Sequence, residues 1–159
     1  MWKLNKKPIL DIPKTLSEKF LDTITSLLYL AGIMSNLPDQ VPAHYNALGE
    51  VNRWGSKWEL ILLPGIAAFL AVIMTFLEKH PEWHNYRKLN ESNIKFQYRN
   101  SRLLMNVLKN ECVLLFVFLT YKTEQVALGS VDSLSIAFLP IFLVIIFGSM
   151  VFFIIRSYK

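Results

Sequence analysis

The chain has 159 residues, 53% of them hydrophobic and only 18% charged, with a mean hydropathy of +0.33. This is more apolar and less charged than ordinary soluble domains, which rules out disorder, and the single cysteine, Cys112, rules out a disulfide scaffold. A net charge of +5 would suit a nucleic-acid partner only if it formed one basic face; the basic residues are instead spread between apolar runs, so no nucleic-acid partner is expected.

In chain order, residues 1–19 read as a basic cytoplasmic segment with Lys3, Lys6, Lys7, Lys14 and Lys19 and no signal-peptide pattern. Ile9 to Phe20 has the make-up of a short interfacial helix drawn to anionic lipid, and a solvated tail explains it as simply. Four apolar runs follow: Phe20–Asn36, Trp58–Leu77, Leu103–Tyr121 and Leu134–Ile155. A spanning helix needs about 20 mainly apolar residues, a length that the second and fourth runs meet with little or no charge. The first is short and hydroxyl-rich, and the third carries Asn106, Lys109, Asn110 and Glu111. The expected fold is an all-α, four-helix membrane bundle with its partner the lipid bilayer.

Orientation follows from lysine and arginine near the spans. The N-terminal segment, the 78–102 loop (Lys79, Arg87, Lys88, Lys95, Arg99, Arg102) and the tail (Arg156, Lys159) carry thirteen; the other side has Arg53, Lys57 and Lys122. Both termini are therefore expected in the cytoplasm, with the 37–57 loop outside.

That outer loop is long and rich in aliphatic and aromatic residues, the mark of an ordered rather than a disordered connection. Pro38 ends the first helix, Pro42 sets a second bend, and Gly49 and Gly55 are expected at positive φ. Ser56 and Glu59 have capping-box spacing, and Trp54 and Trp58 suit the membrane interface. The loop is expected to fold over the mouth of the bundle. Cys112 reads as a small packing residue.

The pattern Leu37-Pro38-Asp39, Pro42, His44-Tyr45-Asn46, Gly49, then Asn52-Arg53-Trp54-Gly55-Ser56-Lys57 resembles the domain of unknown function at the N-terminus of SdpI-type membrane proteins. The resemblance covers about residues 20–77, two spans and the outer loop; 103–159, two further spans and a tail, does not match that family's later helices. What the resemblance implies is immunity: protection of a bacterium from its own secreted, membrane-active peptide, with capture of a transcriptional repressor as a further role in that system. It also implies a bacterial cytoplasmic membrane.

Each polar residue has a structural reading beside its functional one. Pro38, Asp39, Pro42, His44, Asn46, Gly49, Arg53, Trp54, Gly55 and Lys57 are the candidate recognition residues. His44 and Asn46 serve equally to bond loop backbone; a metal at His44 would need Asp39, Glu50 or Glu59, whose spacing fits no ligand motif. Arg53 and Lys57 suit an anionic group or simple snorkelling to headgroups. Within the spans, Asp22, Arg102, Asn106, Lys109, Asn110 and Glu111 form an expected polar stripe. Asp22 is the expected partner of Arg102 or Lys109, and the stripe either carries protons, holds a headgroup or locks helices together. His80 and His84 stand four apart, but Pro81 breaks the helix that would make them a metal pair.

No P-loop, GxGxxG, GxSxG, CxxC or HExxH occurs, so no cofactor and no enzymatic activity are expected. The leading expectation is a non-enzymatic protein that recognises a secreted toxin peptide. A second is a sensor coupling an outer signal to a cytoplasmic protein at the 78–102 loop. The third is an enzyme using His44 with Asp39 or Glu50.

Overall fold

The computed structural model describes residues 28–158, and the expected N-terminal segment, the first part of the first span (residues 20–27) and Asp22 lie outside them. The described part is mostly helical with one two-stranded sheet. Residues 28–33 are helical and lead into strand β1 (Gln40–Tyr45), which pairs antiparallel with β2 (Val51–Ser56). A 3-10 turn, Lys57–Ile61, opens into helix α1 (Leu62–Lys79). A second 3-10 turn, Pro81–Trp83, precedes α2 (Ile94–Ala127), and α3 (Phe138–Arg156) closes the described chain.

Among the described residues three helical stretches are long and apolar enough to cross a membrane: Lys57–Lys79, Ile94–Ala127 and Phe138–Arg156. Their outward faces stay uncovered by protein, with Phe69 64% and Val144 72% exposed. Such faces are stable in hydrocarbon, where each helix satisfies its own backbone groups.

The expected outer loop is a β-hairpin. Pro42 does not bend the chain; it sits within β1 opposite Trp54, and its missing N–H is tolerated because a two-stranded sheet consists of edge strands. Register shifts lie between Pro42 and His44 and again between His44 and Tyr45. Both shifts follow Pro42, so Val41 and Pro42 keep regular register and are buried on different sides, Val41 in the core cluster and Pro42 against the cavity behind the hairpin. Val41, fully buried, packs with Leu30, Leu37 and Leu60, and with Ile33, Met34, Leu63 and Ala127 around them. The apolar core therefore lies beneath the hairpin, where the first helix, the hairpin, α1 and α2 meet.

Helix α2 starts at Ile94, not Leu103, and continues past Tyr121, so much of the expected 78–102 loop is helix. At 1.5 Å per residue its 34 residues extend about 51 Å, well beyond a hydrocarbon layer of about 30 Å. It projects at both ends: one end carries the hairpin, the other the 80–93 loop. At that second end Gln97 donates from Nε2 to the Ser157 carbonyl at 2.8 Å, and Asn100 from Nδ2 to that of Phe153 at 3.0 Å. These bonds tie α3's final turn to α2, and the first supplies a partner that the end of a helix lacks. Arg87 adds a 3.2 Å bond to the Tyr158 hydroxyl.

Within the bundle, Lys109 pairs with Glu78 of α1, its Nζ 2.5 Å from Oε2 and 3.1 Å from Thr75 Oγ1. Asn106 donates to the other Glu78 oxygen at 3.1 Å, and Asn110 donates to Asn106 at 3.3 Å. Glu78, one residue beyond the expected end of its span, is thus the partner sequence reasoning missed; expected partner Asp22 is outside the described residues. The expected single stripe divides. Lys109, Asn106 and Asn110 belong to the α1 side, whereas Glu111 receives a bond from Ser149 of α3. Arg102 joins neither cluster, and its buried Nε has no hydrogen-bond partner among the described residues.

Removing one member of a buried pair leaves the other charge uncompensated, at a cost of about 3–5 kcal/mol. We predict that Lys109→Met markedly lowers the melting temperature of the detergent-solubilised protein. Lys109→Met combined with Glu78→Leu recovers most of the loss. An equal loss in the double variant would contradict this account of the α1–α2 contact.

Candidate functional site

The hairpin is built by its own side chains. Asn46 Oδ1 accepts from the N–H groups of Leu48 and Glu50 at 2.9 and 3.0 Å, and Asn46 Nδ2 donates to Glu50 Oε2 at 2.8 Å. An asparagine folding its side chain onto the next backbone groups is a standard turn device. Gly49 completes the turn at φ +81°, as expected. A Cβ there would lie 2.7 Å from the Ser135 carbonyl oxygen, so the turn rests against the connection between α2 and α3. The Leu134 N–H donates to the Gly49 carbonyl at 2.9 Å and fastens it.

Gly55 corrects the expectation in kind: it is a strand residue outside the positive-φ set. Its lack of a side chain makes room, since a Cβ would stand 2.2 Å from Glu59 Oε1 and 2.8 Å from the Ala43 Cβ. Glu59 uses that space. It closes the expected capping box with Ser56, accepting the Ser56 N–H at 3.2 Å, and takes a 2.9 Å ion pair from Arg53.

The two cations expected to snorkel are instead held by neighbouring acids. Arg53 is paired to Glu59 and also donates to the Ala43 carbonyl at 3.4 Å; Lys57 is 3.2 Å from Asp39. Arg53 and Asp39 are well exposed, so these pairs fix geometry more than they add stability. His44 Nδ1 is 2.6 Å from the Asn52 side-chain oxygen, a cross-strand contact between side chains rather than a bond to backbone. Asn52 was not among the expected partners.

Behind the hairpin lies a cavity of about 250 Å³. Pro42, Ala43, Tyr45, Arg53 and Glu59 line it from the hairpin side, Leu60, Leu63 and Ile66 from the following helix, and Leu119 and Thr123 from α2. Tyr45 donates to Thr123 Oγ1 at 3.3 Å, and burial pushes the Tyr45 phenol above its ordinary range. Close by in sequence, buried Glu124 accepts a bond from the Tyr29 hydroxyl. One wall thus carries an ion pair, and the other is mostly apolar. Elsewhere on the hairpin Leu48 and Trp54 are about half exposed, and Asn52 is exposed. Of the expected recognition residues, Arg53, Trp54, His44 and Lys57 lie on the hairpin or at its end, while Pro38 and Asp39 lie just ahead of it.

At the opposite end, His80 and His84 do not converge. His80 stacks on Trp83 at 4.6 Å and contacts Glu82 at 3.1 Å, while His84 meets the Ser101 hydroxyl. Burial holds His84 below the usual histidine range. Its folded form resists protonation, so the stability it contributes is present above about pH 6.5 and declines as pH falls below that.

Residues 23–68 match the family model described as Domain of unknown function (DUF1648), a span that includes the whole hairpin and the start of α1. The chain is also similar to an uncharacterized protein of Archaeoglobus fulgidus, 35% identical over 77 residues, or 48% of this chain and 42% of that protein. The chain thus spans less than half the length of that relative. No solved structure matches the chain.

Two predictions follow from this geometry. Gly49→Ala costs well over 1 kcal/mol, because positive φ and the Ser135 contact both oppose a side chain; Gly129→Ala, at φ +69° in open space, costs clearly less. Thermal unfolding of the two variants in detergent checks the order. Acidification from pH 7.5 to 5.5 lowers the melting temperature of the wild type more than that of His84→Gln, measured by the same method.

Proposed function

We propose that this chain is a non-enzymatic bacterial membrane protein that recognises a secreted, membrane-active peptide at the hairpin, in the manner of SdpI-type immunity proteins. In this reading the hairpin end faces outward, and both termini and the 80–93 loop face the cytoplasm, as the lysine and arginine distribution favours. The observation that carries the reading is the contrast between the two strands. Residues Val41 and Pro42 are buried in β1, whereas three successive residues of β2, Asn52, Arg53 and Trp54, stay exposed, Asn52 and Arg53 being braced by His44 and Glu59.

A membrane-active peptide is amphipathic and approaches along the interface. Trp54 supplies an apolar anchor at that level, of the kind that dominates binding interfaces. Arg53 and Glu59 offer both charge signs beside it. A surface held on the core by Val41 loses little entropy on binding, which favours affinity. Binding at this surface would keep the peptide from inserting. The match over residues 23–68 supports the reading in that it coincides with the proposed recognition unit.

The test is survival of a sensitive bacterial host under a panel of membrane-active killing peptides. Strains carry empty vector, wild type, Trp54→Ala or His44→Ala, at matched membrane abundance. Wild type is expected to raise the lethal dose of at least one peptide. Trp54→Ala is expected to reduce that protection by about tenfold or more, the effect of losing about 1.4 kcal/mol of binding. Protection against no peptide, or undiminished protection in Trp54→Ala, would overturn the proposal.

A further inference from the structure

A second cavity, of about 520 Å³, runs between α2 and α3, away from the hairpin cavity. Its walls are almost wholly apolar, formed by Leu114, Leu115, Phe118, Phe138, Phe142 and Ile145. Two charged residues line it. Glu111 stands near the middle of the apolar part of α2, and Lys122 lies about 16 Å further along that helix by its rise of 1.5 Å per residue.

Glu111 is half provided for. Its Oε1 accepts the Ser149 hydroxyl, whereas Oε2 is buried with no hydrogen-bond partner among the described residues. A carboxyl group at that depth is costly to maintain, and an unmatched oxygen adds to the cost. If the residue served only to join α2 to α3, Ser149 with any neutral hydrogen-bonding group would do so more cheaply. The remaining oxygen thus calls for a donor that the groove does not supply.

We propose that this groove binds a lipophilic cation, an apolar body carrying one protonated amine, with its N–H groups and charge beside Glu111. The apolar walls take the body of the ligand. The Phe118 and Phe138 rings, stacked 5.3 Å apart, and Phe142 add aromatic surface for the body of the ligand. Lys122 disfavours a cation at its own end of the groove, so the charge settles at Glu111. This site meets the hairpin only through Leu134 and Ser135, against which the Gly49 turn rests, and does not depend on peptide recognition there.

The probe is radiolabelled 1-aminoadamantane, protonated at neutral pH, added to the full chain in detergent and measured by equilibrium dialysis, with neutral adamantane as a competitor. Saturable binding to wild type is expected, poorly displaced by the neutral competitor. Glu111→Gln is expected to weaken binding at least tenfold while the protein stays monodisperse, and Lys122→Ala to tighten it. Leu115→Trp, which fills the groove and leaves Glu111 in place, is expected to abolish binding. No saturable binding to wild type would overturn the proposal, as would wild-type affinity in Glu111→Gln. Should Glu111→Gln fail to fold, unchanged affinity in both Lys122→Ala and Leu115→Trp would overturn it equally.

Discussion

The burial of Val41 is the contact on which this architecture turns. A hairpin alone in water, or lying loosely on a membrane, has too little apolar surface to hold its shape. Here one strand contributes a fully buried valine to a cluster with Leu30, Leu37 and Leu60, joining three helical elements at one point. The strand keeps regular register through Val41 and Pro42, and its irregularity begins only beyond them. With that strand fixed, the other is free to be exposed without coming apart. Burial of Val41 therefore makes a stable, exposed second strand possible.

Polar groups elsewhere are used economically. The Arg53–Glu59 pair, the Asn46 turn and the Ser56 cap all lie within the hairpin or at its junction with the following helix, and together they fix its shape. The Lys109–Glu78 pair fixes α1 against α2, and Gln97 and Asn100 fix the end of α3. Glu111 is satisfied on one oxygen only and, unlike Asn100 with its own unmatched Oδ1, lies against an apolar groove. In a membrane interior such incompleteness is expensive, which is why it points toward a ligand rather than toward packing.

Much of this was legible in the sequence, for reasons that also explain the gaps. Apolar runs of about 20 residues announce helices in a bilayer plainly, and Trp58–Leu77 and Leu134–Ile155 each contain most of a helix found in the structure. The capping box at Ser56–Glu59 and the positive φ at Gly49 were readable because each depends on local chemistry alone. The strands were not. Pro42 argues against a strand in any central position, and only the exposed edges of a two-stranded sheet make it acceptable. Gly55 was misread for a related reason: its role depends on Glu59, whose side chain folds back to it only in three dimensions. Glu78 was missed because counting apolar residues ended the span at Leu77, although the charge of Lys109 in mid-span demanded an acid at about that height. The long reach of α2 was hidden by its polar N-terminal turns, which look like loop when judged by hydropathy.

The claim that the hairpin is the outward-facing working surface is tested most directly by its sidedness. In a Cys112→Ala background, single cysteines at Leu48, exposed on the hairpin turn, and at Glu91, exposed in the opposite loop, are treated with a membrane-impermeant maleimide. The account predicts that Leu48→Cys is labelled in intact cells and Glu91→Cys only after the membrane is opened. Labelling of Glu91→Cys in intact cells, with Leu48→Cys protected until lysis, would contradict it.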